Sequence, residues 1–234
     1  MRTAPITRTA TTIAGMIMIT DRSASLLRLL QLASPTLPVG AYSYSQGLEA
    51  AIDAGVVIDA ASAEQWIGDV MQLSIARMEA PVLSRMIGRP SDIETLNSSF
   101  LASRETAELR AETVQMGYSL NRLLPSLGLK ALTFAEPSFP AAFAAAVNAW
   151  QIDSHQALQA YLWSWLENQV MAAVKAVPLG QTNGQRMLLS LADRIPEVVS
   201  GAVAMRDEDI GSFAPGFAIL SSKHETQYSR LFRS

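Results

Sequence analysis

The sequence predicts an all-α protein, a single-domain helical bundle. Apolar residues recur every three or four positions along most of the chain, and proline and glycine separate the recurring stretches. This spacing places apolar side chains on one face of a helix. The one β-branched run, Val56-Val57-Ile58, is short for a strand, so we interpret it as a connector between helices.

The first residues of the chain lack a helical pattern. Arg2 and Arg8 precede an apolar run over residues 13–19, an order found in weak signal or transit sequences. That run is shorter than the ~20 residues that span a bilayer. We therefore predict a disordered extension over residues 1–22, followed by a helical domain over residues 23–222.

The first helices of that domain are short. A leucine-rich helix after Ser23 ends before Pro35 and Pro38, because proline lacks the N–H group that a helix needs. A second helix is predicted over residues 43–54, ending at Gly55.

A long apolar stripe comes next. Ser62 and Gln65 fit a capping box, and the apolar positions after them step by three and four. Those positions are Trp66, Ile67, Val70, Met71, Ile75, Met78, Val82 and Met86. The spacing predicts one buried helix face.

A segment of mixed character follows. Ser91 and Glu94 repeat the capping signal, and the helix is predicted to run to Leu124. Charged residues alternate there with leucine and methionine, among them Arg104 and Glu112. The alternation predicts a half-exposed helix whose charges face solvent.

The second half of the domain is predicted to contain the longest helix. An alanine-rich helix leads to Trp150, and Asp153 is placed to cap its successor. One apolar side of that successor comprises Leu158, Tyr161, Leu162, Trp165, Leu166, Val170, Val174 and Val177. At about 1.5 Å per residue it would be ~35 Å long and could form the central post of a bundle. Shorter helices are predicted at 184–194 and 196–205, and Pro215 opens the last section.

Composition narrows the class of function. The 18 Lys and Arg against 21 Asp and Glu give a net charge of −3, which argues against a nucleic-acid-binding face. The 17% of charged residues and a mean hydropathy of +0.18 favour a chain that gives some surface to a partner. No cysteine is present, which excludes disulfides and thiolate chemistry and favours a cytoplasmic location.

The sequence offers little for catalysis. A histidine-based metal site would need both His155 and His224 together with carboxylates or a second subunit. The glycine pair Gly180 and Gly184 lacks the lysine of a phosphate-binding loop. We therefore predict no catalytic residue, no cofactor site and no metal site, and a chain that is not an enzyme.

Two segments are too polar and aromatic for a core. One is residues 34–49, Ser-Pro-Thr-Leu-Pro-Val-Gly-Ala-Tyr-Ser-Tyr-Ser-Gln-Gly-Leu-Glu; the other is residues 223–234, Lys-His-Glu-Thr-Gln-Tyr-Ser-Arg-Leu-Phe-Arg-Ser. They fit an ordinary loop and a solubilising tail. They also fit an interface, because aromatic anchors among arginines are typical of binding surfaces.

Both segments closely resemble the UreF family of urease accessory proteins. Members of that family have the pattern Leu-Pro-x-Gly-x-Tyr/Phe-Ser-x-Ser-x-Gly-Leu-Glu near the start and His-Glu-Thr-Gln-Tyr-Ser-Arg-Leu-Phe-Arg-Ser at the end. Residues 104–110, 174–181 and 209–212 also match in order, so the resemblance spans residues 26–234.

The resemblance implies a homodimeric, non-enzymatic assembly factor for the nickel centre of urease. Such a protein bridges the accessory protein UreD, also called UreH, and the GTPase UreG, and the complex then engages the urease apoprotein. Nickel and GTP are accordingly expected on the partner GTPase, and neither nucleic acid nor membrane is an expected partner.

The resemblance also carries over candidate partner-binding residues. They are Tyr42, Ser43, Ser45, Glu49, Glu79, Lys175, Lys223, His224, Glu225, Tyr228, Arg230, Leu231, Phe232 and Arg233. Glu79 stands where the family more often has aspartate. We expect the GTPase to bind an exposed face containing Glu49 and Lys175, with Glu79 included. Residues 223–234 are expected to form a mobile tail with little core contact that docks on the UreD-like partner.

One alternative function stays open. The chain could be a helical enzyme or a small-ligand-binding protein that uses the loop from Tyr42 to Glu49. Turnover of a nucleotide, or tight stoichiometric nickel binding by the pure chain, would favour this alternative over a scaffold.

Overall fold

The computed structural model of the chain describes residues 23–234. Every regular element in this range is a helix, which confirms the predicted all-α class. The predicted N-terminal extension, residues 1–22, lies outside the described residues. Between residues 23 and 234, no helix is both long and apolar enough to cross a membrane.

The α-helices are numbered here in chain order. They are α1 (23–32), α2 (Leu48–Asp53), α3 (Ala60–Val70), α4 (Ala80–Gly88), α5 (Ile93–Ala102), α6 (Ala107–Leu123), α7 (Phe139–Ala149), α8 (Ser154–Ala176), α9 (Gln181–Ala192), α10 (Ile195–Ala204) and α11 (Pro215–His224). A π-helix, Met71–Glu79, joins α3 to α4.

Helices α7 and α8 form the centre of the bundle. Residues 139–144 of α7 are all buried, because α4, α5 and α6 pack around this alanine-rich helix. Helix α8 is capped by Asp153, as predicted, and packs against α4, α9 and α10. Its predicted apolar side is buried apart from Val174, which is half-buried.

The predicted stripe from Trp66 to Met86 faces the core, and all but Trp66 of its members are buried. The predicted capping box, Ser62 with Gln65, is wrong: the observed box lies three residues earlier and pairs Asp59 with Ser62. Asp59 caps α3 by accepting the Ser62 amide N–H at 2.9 Å, and Ser62 Oγ accepts the Asp59 N–H at 3.0 Å.

The second predicted helix starts later than expected. Its first residues instead form a 3₁₀ turn, Ala41–Ser43, and a loop before Leu48. Gln46 and Gly47 have φ values of 51° and 76°, which a right-handed helix cannot contain. This left-handed turn directs Ser45 and Gln46 into the protein, where both are buried.

The single helix predicted from Ser91 to Leu124 is two helices. Helix α5 ends at Ala102 and α6 begins at Ala107. Thr106 caps α6 by accepting the Leu109 N–H at 3.1 Å. Ser91 hydrogen-bonds Asp92 instead of capping α5. The charges here do not all face solvent, since Glu112 is buried and the Arg104 side chain is only 4% exposed.

The last helices bring the end of the chain back to its beginning. Helices α9 and α10 match the two predicted short helices, with α9 starting three residues earlier than expected. Helix α11 begins at Pro215 and packs against α2, whose first two residues belong to the segment 34–49. The packing of α11 on α2 places residues 223–234 beside residues 34–49.

Candidate functional site

The two segments singled out in the sequence form one structure, called here the tail junction: residues 42–49 in contact with residues 223–234. The Arg233 amide donates to Ser43 O at 2.8 Å, and the Ser45 amide donates to the Ser234 main-chain oxygen at 2.8 Å. The Ser45 hydroxyl donates to the same Ser234 oxygen at 2.5 Å. Residues 233 and 234 are therefore held to Ser43 and Ser45 by three hydrogen bonds, two of them between main-chain atoms.

Glu49 is the anchor of the tail junction. Its Oε1 accepts the Leu231 N–H at 2.6 Å, and its Oε2 accepts the Phe232 N–H at 3.0 Å. The left-handed turn at Gly47 makes α2 begin at Leu48. Glu49 is therefore in the first turn of α2, where its carboxylate reaches the amides of Leu231 and Phe232. Bonds to a charged acceptor are about twice as strong as neutral ones, so this contact holds the tail firmly.

His224 links Glu49 to α6. The imidazole is fully buried, with Nε2 3.3 Å from Glu49 Oε2 and Nδ1 2.7 Å from Glu108 Oε2. Arg230 also binds Glu108, at 2.6 Å. The two carboxylates contact opposite ring nitrogens and do not converge on one point. No group of three or more potential metal ligands is found among residues 23–234.

A second buried carboxylate holds the last residue. Glu112 Oε2 accepts the Ser234 hydroxyl at 2.8 Å, and Oε1 accepts Gln46 Nε2 at 2.7 Å. The Trp165 indole N–H donates to Gln46 Oε1 at 2.7 Å. Burial raises the pKa of Glu112 to about 7, even though the bonds from Ser234 and Gln46 favour the charged form.

The expected exposed face is only partly correct. Lys175 is exposed, as predicted, and its Nζ lies 4.7 Å from the ring centre of Phe232, within reach of a cation–π interaction. Glu49 is buried because it binds tail amides. Glu79 is buried as well, bound to Tyr161 and 3.4 Å from Arg104. Neither glutamate presents its charge to solvent.

The expected tail also differs from the structure. His224 and Phe232 are buried, so the prediction of little core contact is wrong for them. Their neighbours Lys223, Glu225, Tyr228, Arg230, Leu231 and Arg233 are exposed. With Tyr42, which is 75% exposed, these residues form an aromatic and basic rim around the docked tail. Such a rim is suited to a protein partner.

The residues of α6 that receive the tail, Glu108 and Glu112, are not among the predicted site residues. Glu112 was expected to face solvent. A signal for Glu112 exists, since it lies three residues after Leu109 and four before Met116 and so shares their buried face. No such signal marks Gln46, whose role depends on its left-handed backbone.

The raised pKa of Glu112 predicts a pH dependence of stability. The folded state holds the proton more tightly than the unfolded chain, whose glutamates titrate near 4.5. This contribution is complete below pH ~4.5 and is lost as the pH rises through about 7. Glu112→Gln keeps a neutral partner for Gln46 and Ser234. Relative to this variant, the wild type should lose about 3 kcal/mol of unfolding free energy between pH 4.5 and pH 8.

The measurement is urea unfolding of both chains across that pH range. Glu94→Gln, a change on the exposed face of α5, controls for general charge effects and should run parallel to the wild type. Parallel curves for Glu112→Gln and the wild type would show that Glu112 titrates in the folded protein as it does in water.

Comparison with known proteins identifies relatives of this chain. A family model described as UreF matches residues 57–192. Proteins named urease accessory protein UreF are similar over most of their length. The one from Azoarcus sp. (strain BH72) is 57% identical, covering 89% of this chain and 95% of the relative. The one from Dechloromonas aromatica (strain RCB) is 54% identical, covering 89% and 97%. The one from Methylobacillus flagellatus is 53% identical, covering 92% and 100%.

Proposed function

The chain belongs to the UreF family of urease accessory proteins, and on this basis we propose that it is the scaffold that bridges a UreD/UreH-like protein and the GTPase UreG. Membership confirms the prediction of an accessory protein instead of an enzyme. In our proposal the assembled complex engages the urease apoprotein in the cytoplasm and supports nickel insertion, with nickel and GTP bound by the GTPase.

The observation that carries this proposal is the tail junction. Ser45 and Ser234, 189 residues apart, are joined by buried polar bonds, while Tyr42, Tyr228 and the two arginines of the tail stay exposed. The side chains of Tyr228 and Leu231 stay exposed although their backbone is docked, so they add little buried apolar surface to the core. This is the arrangement expected of a pre-formed binding surface, which costs less entropy to bind than a free tail.

Co-purification tests the proposal. The tagged chain is expressed with UreD/UreH-like, UreG-like and urease apoprotein subunits, each also omitted in turn. We expect a complex of the chain with the UreD/UreH-like protein that recruits the GTPase only when the chain is present. GTPase recruitment by the UreD/UreH-like protein alone would refute a bridging role.

Lys175 offers a focused prediction within this proposal. Lys175→Glu should weaken GTPase recruitment about tenfold without loss of helix content, because an exposed charge contributes about 0 to 1 kcal/mol to folding and more to a complementary interface. Lys130→Glu, at another exposed lysine, is the matched control. Affinities come from biolayer interferometry and helix content from circular dichroism. Unchanged GTPase binding by Lys175→Glu would remove this residue from the interface.

We also propose that the chain forms a homodimer, as the family resemblance implies. Exposed apolar residues support a second contact surface away from the tail junction. Leu26, Leu27 and Leu30 of α1 are each more than half exposed, and Trp163 of α8 is 39% exposed. Light scattering of the purified chain measures the mass, and a monomer at micromolar concentration would contradict the dimer.

A further inference from the structure

A cavity lies directly beneath the loop of residues 34–46. Its volume is about 340 Å³, and this loop, α6 and α8 enclose it. Leu37, Val39, Leu109, Met116, Phe139 and Trp165 contribute apolar wall. A mostly apolar cavity with a few convergent polar groups is the usual form of a small-molecule site.

The polar groups gather at Arg104. Its side chain is 4% exposed, and its Nε has no hydrogen-bond partner among the described residues. Its contact with Glu79 is 3.4 Å, longer than the 2.7–2.9 Å that is usual for a charged pair. Glu79 receives the Tyr161 hydroxyl on its other oxygen. A buried guanidinium with an unused donor is costly unless an acceptor reaches it.

The charges around Arg104 favour an anionic head group. Glu79 is the carboxylate that contacts it, and that contact leaves Nε unused. Two further carboxylates line the cavity, Glu112 and Glu167. Glu112 is partly uncharged at neutral pH because burial raises its pKa to about 7, and burial also raises the pKa of Glu167. An acceptor with a full negative charge would use the free donor. A cationic head group would be repelled by the positive charge of the Arg104 guanidinium.

We propose that this cavity binds a small monocarboxylate whose head group pairs with Arg104 and whose apolar body packs against Leu37, Met116 and Trp165. Tyr42 and Met171 line the cavity and are exposed, so they mark its opening to solvent. This site lies behind the tail junction, and its occupation does not depend on the scaffold role.

Isothermal titration of the full chain tests the proposal with three probes of equal length: hexanoate, hexanol and hexylammonium. We expect hexanoate to bind one to one, hexanol to bind at least about tenfold more weakly, and hexylammonium not to bind. The tenfold difference corresponds to one charge-assisted hydrogen bond. Equal affinity for hexanol and hexanoate, or no binding of hexanoate, would overturn the proposal.

Two variants locate the site. Arg104→Gln should weaken hexanoate binding at least about tenfold and hexanol binding little. Because Arg104→Gln also leaves Glu79 without its cation, the exposed opening provides a second test that does not disturb the core. Met171→Trp should block entry and abolish binding, whereas Leu189→Trp, an exposed residue elsewhere, should not. Full binding by Met171→Trp would place the ligand outside this cavity. Co-purification can succeed or fail whatever these titrations show.

Discussion

Glu49→Gln should release residues 225–234 from the bundle and abolish binding of the proposed UreD/UreH-like partner. The carboxylate accepts the amides of Leu231 and Phe232 and contacts His224. Glutamine has the same shape but replaces one acceptor oxygen by an NH₂ group, which would face an N–H donor. Losing charge-assisted bonds in a buried site costs about 1.5–3 kcal/mol each. The other bonds that hold this segment lie mainly at Arg230 and at residues 233–234. We expect them not to keep it docked once Leu231 and Phe232 lose their acceptor.

Hydrogen exchange measures the release directly. The amides of Leu231 and Phe232 should lose their protection in Glu49→Gln, while amides in α7 and α8 keep theirs. Glu94→Gln is the control for removal of an exposed negative charge. A protected tail in Glu49→Gln, or a released tail that still binds the partner, would separate Glu49 from the docking role.

Gly117→Ala should destabilise the bundle more than any surface change, by about 3 kcal/mol or more. A Cβ at this position would lie 2.0 Å from Pro137 O and 2.4 Å from the Ser138 carbonyl carbon. Both atoms belong to the backbone, so no side-chain rotation relieves the overlap. The segment is also fixed on both sides, because the Ser138 amide donates to Asn97 and the Phe139 amide donates to Thr113.

Gly201→Ala in α10 is the matched control. A Cβ there would meet no atom within 4 Å, and alanine favours a helix interior by about 0.5–1 kcal/mol over glycine. Thermal unfolding should therefore show a large fall in Tm for Gly117→Ala and a small rise for Gly201→Ala. Equal Tm values for Gly117→Ala and the wild type would mean that α6 and α7 can separate without cost.

The helices were predictable where a regular apolar stripe exists. The stripes of α3, α4 and α8 depend on local spacing, and a buried face needs no information from distant residues. Boundaries were wrong where short polar side chains offer the backbone competing bonds. At Asp59 and Thr106 the observed caps differ from the predicted ones because serine, threonine and aspartate can each accept the same amides.

The tail junction could be predicted in part. The motif residues were found from the family resemblance, but their burial was not. Glutamate side chains are normally exposed to solvent in folded proteins. Glu49 is buried because residues 224–232, far along the chain, supply the donors for its carboxylate. Local sequence carries no signal for such a distant partner, so Glu49 and Glu79 were both expected on the surface.

The partners of Glu49 also set an order of events during synthesis. The ribosome adds Glu49 early, whereas the groups that hydrogen-bond its carboxylate belong to residues 224, 231 and 232, which are added about 175 residues later or more. A growing chain whose helices α2 to α10 have already folded therefore still carries an unmatched anion. Only after those late residues leave the ribosome does the rim with Tyr228 and Leu231 assemble. Chains that stop before residue 224 would lack that surface, so other proteins can meet the rim only after residues 224–232 have been synthesised.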